Sequence, residues 1–143
     1  MIAVDTNILV YAHHSEAPQH LLALETLRSL AEGDTVWGLP VFVIGEFLRV
    51  VTHPHGPFRQ PSTTEEAMLA IDGLVEGPRV RVLTPGPRFL PLLRKLVLEA
   101  KARGNLVFDA QVAAVCLEHG ATTIVTEDRD FSRFAGLTVR GLG

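Results

Sequence analysis

The chain begins "MIAVDTN", in which three apolar residues, Ile2 to Val4, run straight into Asp5, Thr6 and Asn7. So short a run, closed at once by cap-forming residues, suits a buried strand that feeds directly into a helix. The pattern returns near the other end, where "TTIV" at 122–125 is followed at once by "TEDRD". Between these two points strand-like and helical pieces alternate. "TVWG" at 35–38 and "RVRVL" at 79–83 read as strands, and "LTV" at 137–139 as a last one. "HLLALETLRSL" sets Leu21, Leu24 and Leu27 at helical spacing and stops at Gly33. "PVFVIGEFLRVV", opened by Pro40 at the first-turn position, is a helix apolar nearly all round. Ser62 is placed to cap "TTEEAMLAIDGLV", with Glu65 three residues on in capping-box fashion. "RFLPLLRKLVLEAKARG" reads as a helix ending at Gly104, and "DAQVAAVCLEHG" as one running from Asp109 to Gly120. Alternation of this kind implies an α/β fold with a mainly parallel central sheet of about four or five strands flanked by helices. A single domain over 1–143 is expected, since 143 residues suit one core.

Composition narrows the function classes. Apolar residues are 47 % and charged ones 20 %, the balance of a folded globular chain rather than a disordered one. A net charge of -3 does not advertise a nucleic-acid binder. No apolar run reaches the roughly 18 residues that span a bilayer, and "MIAVDTN" lacks the basic start and long apolar stretch of a signal peptide. One cysteine, Cys116, forms no internal disulfide. A cytoplasmic protein without membrane association is the expectation.

In open α/β sheets, ligands bind beyond the carboxyl ends of the strands. Asp5 lies just past the first strand and Asp128 just past "TTIV", so two acids reach the same edge from opposite ends of the chain. Asp109 opens the helix that leads into "TTIV", and a helix entering that strand should start near the same edge. Glu46 sits mid-helix among Val43, Ile44, Phe47 and Leu48, where an unpaired buried carboxylate is expensive. Each acid has an ordinary explanation. Asp5 and Asp109 suit N-caps, Glu46 is one turn from Arg49, and Asp128 and Asp130 suit a solvated turn. Together they do not. Two carboxylates about 4 Å apart repel by roughly 4 kcal/mol at an effective dielectric near 20, so a fold that gathers four must supply cations. Oxygen-only donors select hard ions, Mg²⁺ or Mn²⁺, over Zn²⁺.

Four segments, "MIAVDTNILVYA", "GEFLRVVT", "GNLVFDAQVAA" and "IVTEDRDFSRF", resemble the four acidic motifs of PIN-domain ribonucleases, in order and at suitable separations. The likeness runs nearly end to end and is nearest to the VapC-type toxins of type II toxin–antitoxin pairs. It implies a catalytic, metal-binding cluster of Asp5, Glu46, Asp109 and Asp128. Asp5 and Asp109 would be direct ligands, and Glu46 and Asp128 would ligate directly or through water. Thr126 matches the family's hydroxyl near the metal and Asn7 its pocket-steadying polar residue, while Thr6 is expected to be a simple cap. Asp128 is preferred as the fourth acid because it is nearer the strand end, with Asp130 two residues away in support and Glu127 directed to solvent. The implied activity is Mg²⁺-dependent endoribonuclease cleavage, with Mn²⁺ the alternative ion, leaving 5′-phosphate and 3′-hydroxyl ends. The implied partners are an RNA substrate, with transfer RNA the family-level expectation, a VapB-type antitoxin and a second copy in a homodimer. A catalytically silent PIN-like RNA-binding module and a receiver-type signalling domain are the rival classes.

An acidic site repels RNA, so phosphate contacts must come from elsewhere. Seven of the 13 Lys and Arg residues fall between 79 and 103, opposed only by Glu99. Arg94 and Lys95 are therefore candidate RNA contacts, and Arg49 a third because it shares a helix with Glu46. His53 and His55 in "THPHGPF" are expected to be loop residues, and Cys116 a small core residue.

Overall fold

The computed structural model describes residues 1–143. Five parallel strands form one sheet: β1 (Ile2–Val4), β2 (Trp37–Pro40), β3 (Val80–Leu83), β4 (Thr123–Val125) and β5 (Thr138–Arg140). They lie side by side in the order β3-β2-β1-β4-β5. The chain builds outward from β1 to one side through β2 and β3, then returns to lay β4 and β5 on the other. The reversal falls between β1 and β4, which in such sheets opens a crevice beyond the strand ends. Six helices make the crossovers: α1 (Thr6–His13), α2 (His20–Glu32), α3 (Val41–Thr52), α4 (Thr64–Val75), α5 (Phe89–Ala100) and α6 (Asn105–Glu118). One contiguous cluster of 29 buried residues runs through all of them, so the sheet and its helices share a single core.

Local chemistry explains most boundaries, and several differ from the expectation. The capping box is present but belongs to Thr63 and Glu66, one residue past Ser62 and Glu65. Ser62 instead places its Oγ 2.8 Å from His13 Nε2. Pro40 closes β2 and precedes α3, because it pairs with Leu83 of β3 before the helix begins. On α2 the core-facing residues are Ala23 and Leu27, whereas Leu21 stands 76 % exposed. The helical spacing was right there, but Leu21 is on the outward face. α5 ends at Ala100, four residues short of Gly104, where Lys101 turns left-handed at φ 52°.

The largest difference concerns Asp109. α6 starts at Asn105, with Gly104 at its N-cap in a φ 60°, ψ -135° conformation that suits glycine. "GNLVF" is therefore mostly helix, and Asp109 lies inside the second turn instead of capping the first. The N-cap explanation for Asp109 falls with this. The helix still starts near the active edge, so the carboxylate is carried where the topology required.

Candidate active site

β1 and β4 run in register, with Val4 opposite Val125, and the Asp5 amide donates to the Val125 carbonyl at 3.0 Å. The next residue on each strand, Asp5 and Thr126, must therefore emerge side by side at the crevice. Both are buried, at 7 % and 1 % exposure. The Thr126 hydroxyl donates to Asp5 Oδ2 at 2.8 Å and accepts from Asn7 Nδ2 at 3.0 Å and from the Asp128 amide at 2.9 Å. One hydroxyl thus ties the end of β1, the first turn of α1 and the turn after β4 into a knot. Asp5 occupies the N-cap position of α1, but its side chain caps no helix amide. Burial pushes its carboxyl up to about 6, a rise that repulsion from Glu46 and Asp128 adds to and the Thr126 hydrogen bond opposes.

The turn after β4 resolves into a 3-10 segment, Arg129–Arg133, whose N-cap is Asp128; its Oδ1 accepts the Asp130 amide at 2.9 Å. Phe131, fully buried, and Phe134 beside it hold the turn against the core. Acidic groups sit on this turn because its aromatic anchors face inward and the intervening residues face the crevice or solvent. Glu127 is exposed as expected, yet its Oε1 also accepts the Leu142 amide at 2.6 Å, so it fastens the segment after β5.

Asp109 approaches from α6. Its ligand oxygens and those of Asp128 and Asp130 fall within 4.8 Å of one another. Half-burial, then repulsion from Asp128, Asp5, Glu46 and Asp130, lifts its carboxyl to about 7. Asp128 lines the cleft with Asp5, Glu46 and Asp109, whereas the exposed Asp130 meets the group from the rim.

Glu46 corrects two expectations. Its helix is less apolar on the outward side than supposed, and its side chain is 45 % exposed instead of buried. Arg49 stands 4.0 Å away, too far and too exposed to neutralise it firmly. The residue that holds Glu46 is Thr6, whose hydroxyl donates to Oε2 at 3.1 Å. Thr6 is thus a site residue and not a simple cap. Nothing in the local sequence signals it, because the partner is 40 residues away.

These side chains line a cleft of about 700 Å³, large enough for a nucleotide-sized group. Val10, Tyr11, Pro57, Phe58 and Arg59 also line it, though the sequence does not point to any of them. Arg49, Arg94 and Lys95 do not line it; the last two are exposed on α5. His53 and His55 lie in the loop after α3, where the His55 amide donates to His53 Nδ1, and Cys116 is fully buried in the core, as expected.

The residues fit a divalent cation. The donor set is all oxygen, and the only ion pair in the molecule is the loose Arg49–Glu46 contact. Without an ion, burial first and mutual repulsion second raise Asp5 to about 6 and Asp109 to about 7. A hard dication would relieve that repulsion.

Fold and site together define a class: a parallel α/β domain with an acidic, cation-ready cleft at its topological switch point. The PIN domain family matches residues 2–137. The VapC ribonuclease Mb2897 of Mycobacterium bovis is 39 % identical over 140 residues, covering 98 % of this chain and 94 % of that protein. The chain belongs to the PIN-domain family, among the VapC ribonucleases. Solved structures agree on the fold. VapBC2 of Rickettsia felis, bound to a DNA fragment from its promoter, superposes with a TM-score of 0.72 at 21 % identity, over 99 % of this chain and 98 % of that one. VapC20 of Mycobacterium tuberculosis, described as a sarcin-ricin loop cleaving toxin, gives 0.68 at 21 % identity, over 96 % and 99 %. The receiver-type alternative is thereby set aside.

Proposed function

We propose that the protein is a Mg²⁺-dependent endoribonuclease and the toxin of a toxin–antitoxin pair. The observation that carries this is the meeting of Asp5, Glu46, Asp109 and Asp128 in one cleft, from four segments far apart in sequence, with only the long Arg49–Glu46 contact as an ion pair among them. Asp5 and Asp109 would hold the ion directly, with Asp128 beside Asp109 and Asp130 at the rim. A bound Mg²⁺ supplies Lewis-acid polarisation of the scissile phosphate and a more acidic water. The chain's own groups do the rest. Thr126 and Asn7 fix Asp5 in one orientation, so no rearrangement of that ligand is needed on binding. Glu46, exposed and oriented by Thr6, is the carboxylate free to take the proton from an attacking water. Asp128 is less suited, since it lies with Asp109 and Asp130 in the group whose oxygens come within 4.8 Å of one another and would be drawn to the ion. In-line attack by water leaves a 5′-phosphate and a 3′-hydroxyl.

The acidic cleft also suits an antitoxin segment that brings an arginine to the carboxylates, as the complexed state of the VapBC neighbours supports. A homodimer belongs to the same expectation. Transfer RNA is the substrate expected from the family; structured ribosomal RNA is the alternative that the description of VapC20 supports. Arg94 and Lys95, exposed on α5 and outside the cleft, would act on RNA through long-range steering and not through contact at the site.

Incubation with RNA in Mg²⁺, in EDTA and as Asp109→Asn tests the proposal. Cleavage in Mg²⁺ alone, with ends that ligate as 5′-phosphates, is expected. RNA binding without cleavage by the wild type in Mg²⁺ or Mn²⁺ would leave the silent binding module.

A further inference from the structure

Among the sixteen residues that line the cleft there are five carboxylates, Asp5, Glu16, Glu46, Asp109 and Asp128, and one Lys or Arg, Arg59. An arginine facing so many acids would be expected to pair with one. It does not: its guanidinium enters no ion pair or hydrogen bond, and only its backbone amide is engaged, donating to Glu16 Oε1 at 3.3 Å. We propose that Arg59, held at the cleft wall by the loop between α3 and α4, anchors a phosphate of the RNA strand next to the one that is cleaved. The proposal rests on the endoribonuclease function above and names the residue through which the acidic cleft takes hold of a polyanion.

The loop that carries Arg59 is fastened at several points. The Phe58 ring stacks on the His14 imidazole, with centroids 3.6 Å apart and planes 18° from parallel. Ser62 Oγ lies 2.8 Å from His13 Nε2, and the Ser62 amide donates to the Val51 carbonyl at 2.7 Å. The two histidines meet edge to face at 5.0 Å. Burial, chiefly, lowers both from the ordinary imidazole value, so folding disfavours their charged forms. Arg59 is then the one fixed positive charge on this wall. Pinning the backbone spares the loop from ordering on binding, so the entropy lost is that of the Arg59 side chain alone.

A guanidinium presents a planar fork that matches two phosphate oxygens, which a lysine ammonium cannot do. Phe58, one ring face of which is covered by His14, and Tyr11 also line the cleft, and aromatic surface of this kind suits an unstacked base. An anchored phosphate, aromatic surface and the acidic cluster in one cleft favour a single strand drawn across it. The basic stretch of 79–103 lies on other surface, so its effect is long-range and Arg59's is local.

Arg59→Ala and Arg59→Lys test this, with a fluorescein-labelled single-stranded RNA bound in EDTA and cleaved in Mg²⁺. Arg59→Ala should weaken binding by roughly tenfold, as loss of one charge-assisted contact does. It should also lower the slope of log K against log salt by about 0.7, the share of one phosphate contact on a single strand. KM should rise with kcat nearly unchanged, and Arg59→Lys should recover part of the loss. Because Arg59 is exposed, the melting temperature should stay put. Wild-type affinity and salt slope in Arg59→Ala, or a loss confined to kcat, would overturn the assignment while leaving the nuclease intact. A wild type that neither binds nor cuts RNA would overturn the nuclease function as well.

Discussion

The two sides of the acidic cleft are built on opposite plans. On the β1–β4 side, Asp5, Asn7, Thr126 and the amide of Asp128 share one saturated hydrogen-bond knot, and both Asp5 and Thr126 are buried. On the helix side, Glu46 hangs from one 3.1 Å hydrogen bond to Thr6, nearly half in solvent, and Asp109 sits half-buried among other carboxylates. The first side is organised before any ligand arrives. The second is kept in place by little except the repulsion it must relieve, so it is the side free to adjust.

The sharpest way to break this comparison is Asp109→Asn. RNA cleavage in Mg²⁺ should fall by about 10³-fold or more, the scale on which removing a key electrostatic group at a reaction centre acts. The same change removes a carboxylate that repels four others, so the metal-free protein should melt higher than wild type in EDTA at pH 8. A variant inactive and also less stable in EDTA would mean that Asp109 is structural.

Acidity sharpens the contrast next. Asp5 titrates near 6 when folded against 3.8 when unfolded. A carboxyl whose pKa is raised by folding binds protons more tightly in the native state. Its contribution is therefore full at and below pH 4 and is lost as pH rises through 6. That loss is about 3 kcal/mol between the two limits. Asp109, raised to about 7, extends the fall to about pH 7, less strongly because solvent screens it. Urea unfolding in EDTA should show stability from this cluster falling between about pH 4 and pH 7 and levelling off above, and millimolar Mg²⁺ should cancel the fall. A flat or rising difference between EDTA and Mg²⁺ on acidification would contradict the picture.

Thr126→Val tests the knot itself. The shape is kept while three hydrogen bonds go and Asp5 loses its donor, which should cost about 1–3 kcal/mol in denaturant unfolding. Thr6→Val should do much less to stability, below about 1 kcal/mol for an exposed partner, and show mainly as a lowered kcat. Smallest of all is Arg49→Ala, expected within about 0.5 kcal/mol because its ion pair is long and exposed. If Arg49→Ala proved as damaging as Thr126→Val, the helix side would not be the loosely held one.

Much of this site was legible in the chain before folding. Short apolar runs closed by acids at 2–5 and 123–128 marked two strands whose ends carry Asp5 and Asp128, because strand burial and helix capping leave local marks. Other features left none. The start of α6 at Asn105 was hidden because "GNLVF" mixes a loop-like Gly-Asn with helix-compatible residues, and Gly104 serves as cap instead of Asp109. Glu46 was expected inside because its neighbours are apolar, yet only the packing of α3 through Val43, Phe47 and Val51 decides which stripe faces in. The capping box slipped by one residue because Ser62 and Thr63 are both good caps followed by glutamates.

The amino-acid sequence by itself determined the alternating α/β order, the parallel sheet and the acids that end its strands, since these follow from periodicity and capping over a few residues. Tertiary structure alone decided that Thr126 serves Asp5, that Thr6 holds Glu46 and that Arg59 faces the cleft. Those pairings span 40 to 121 residues where bonded, and contact at such separations is set by strand register and helix packing, which no local stretch encodes.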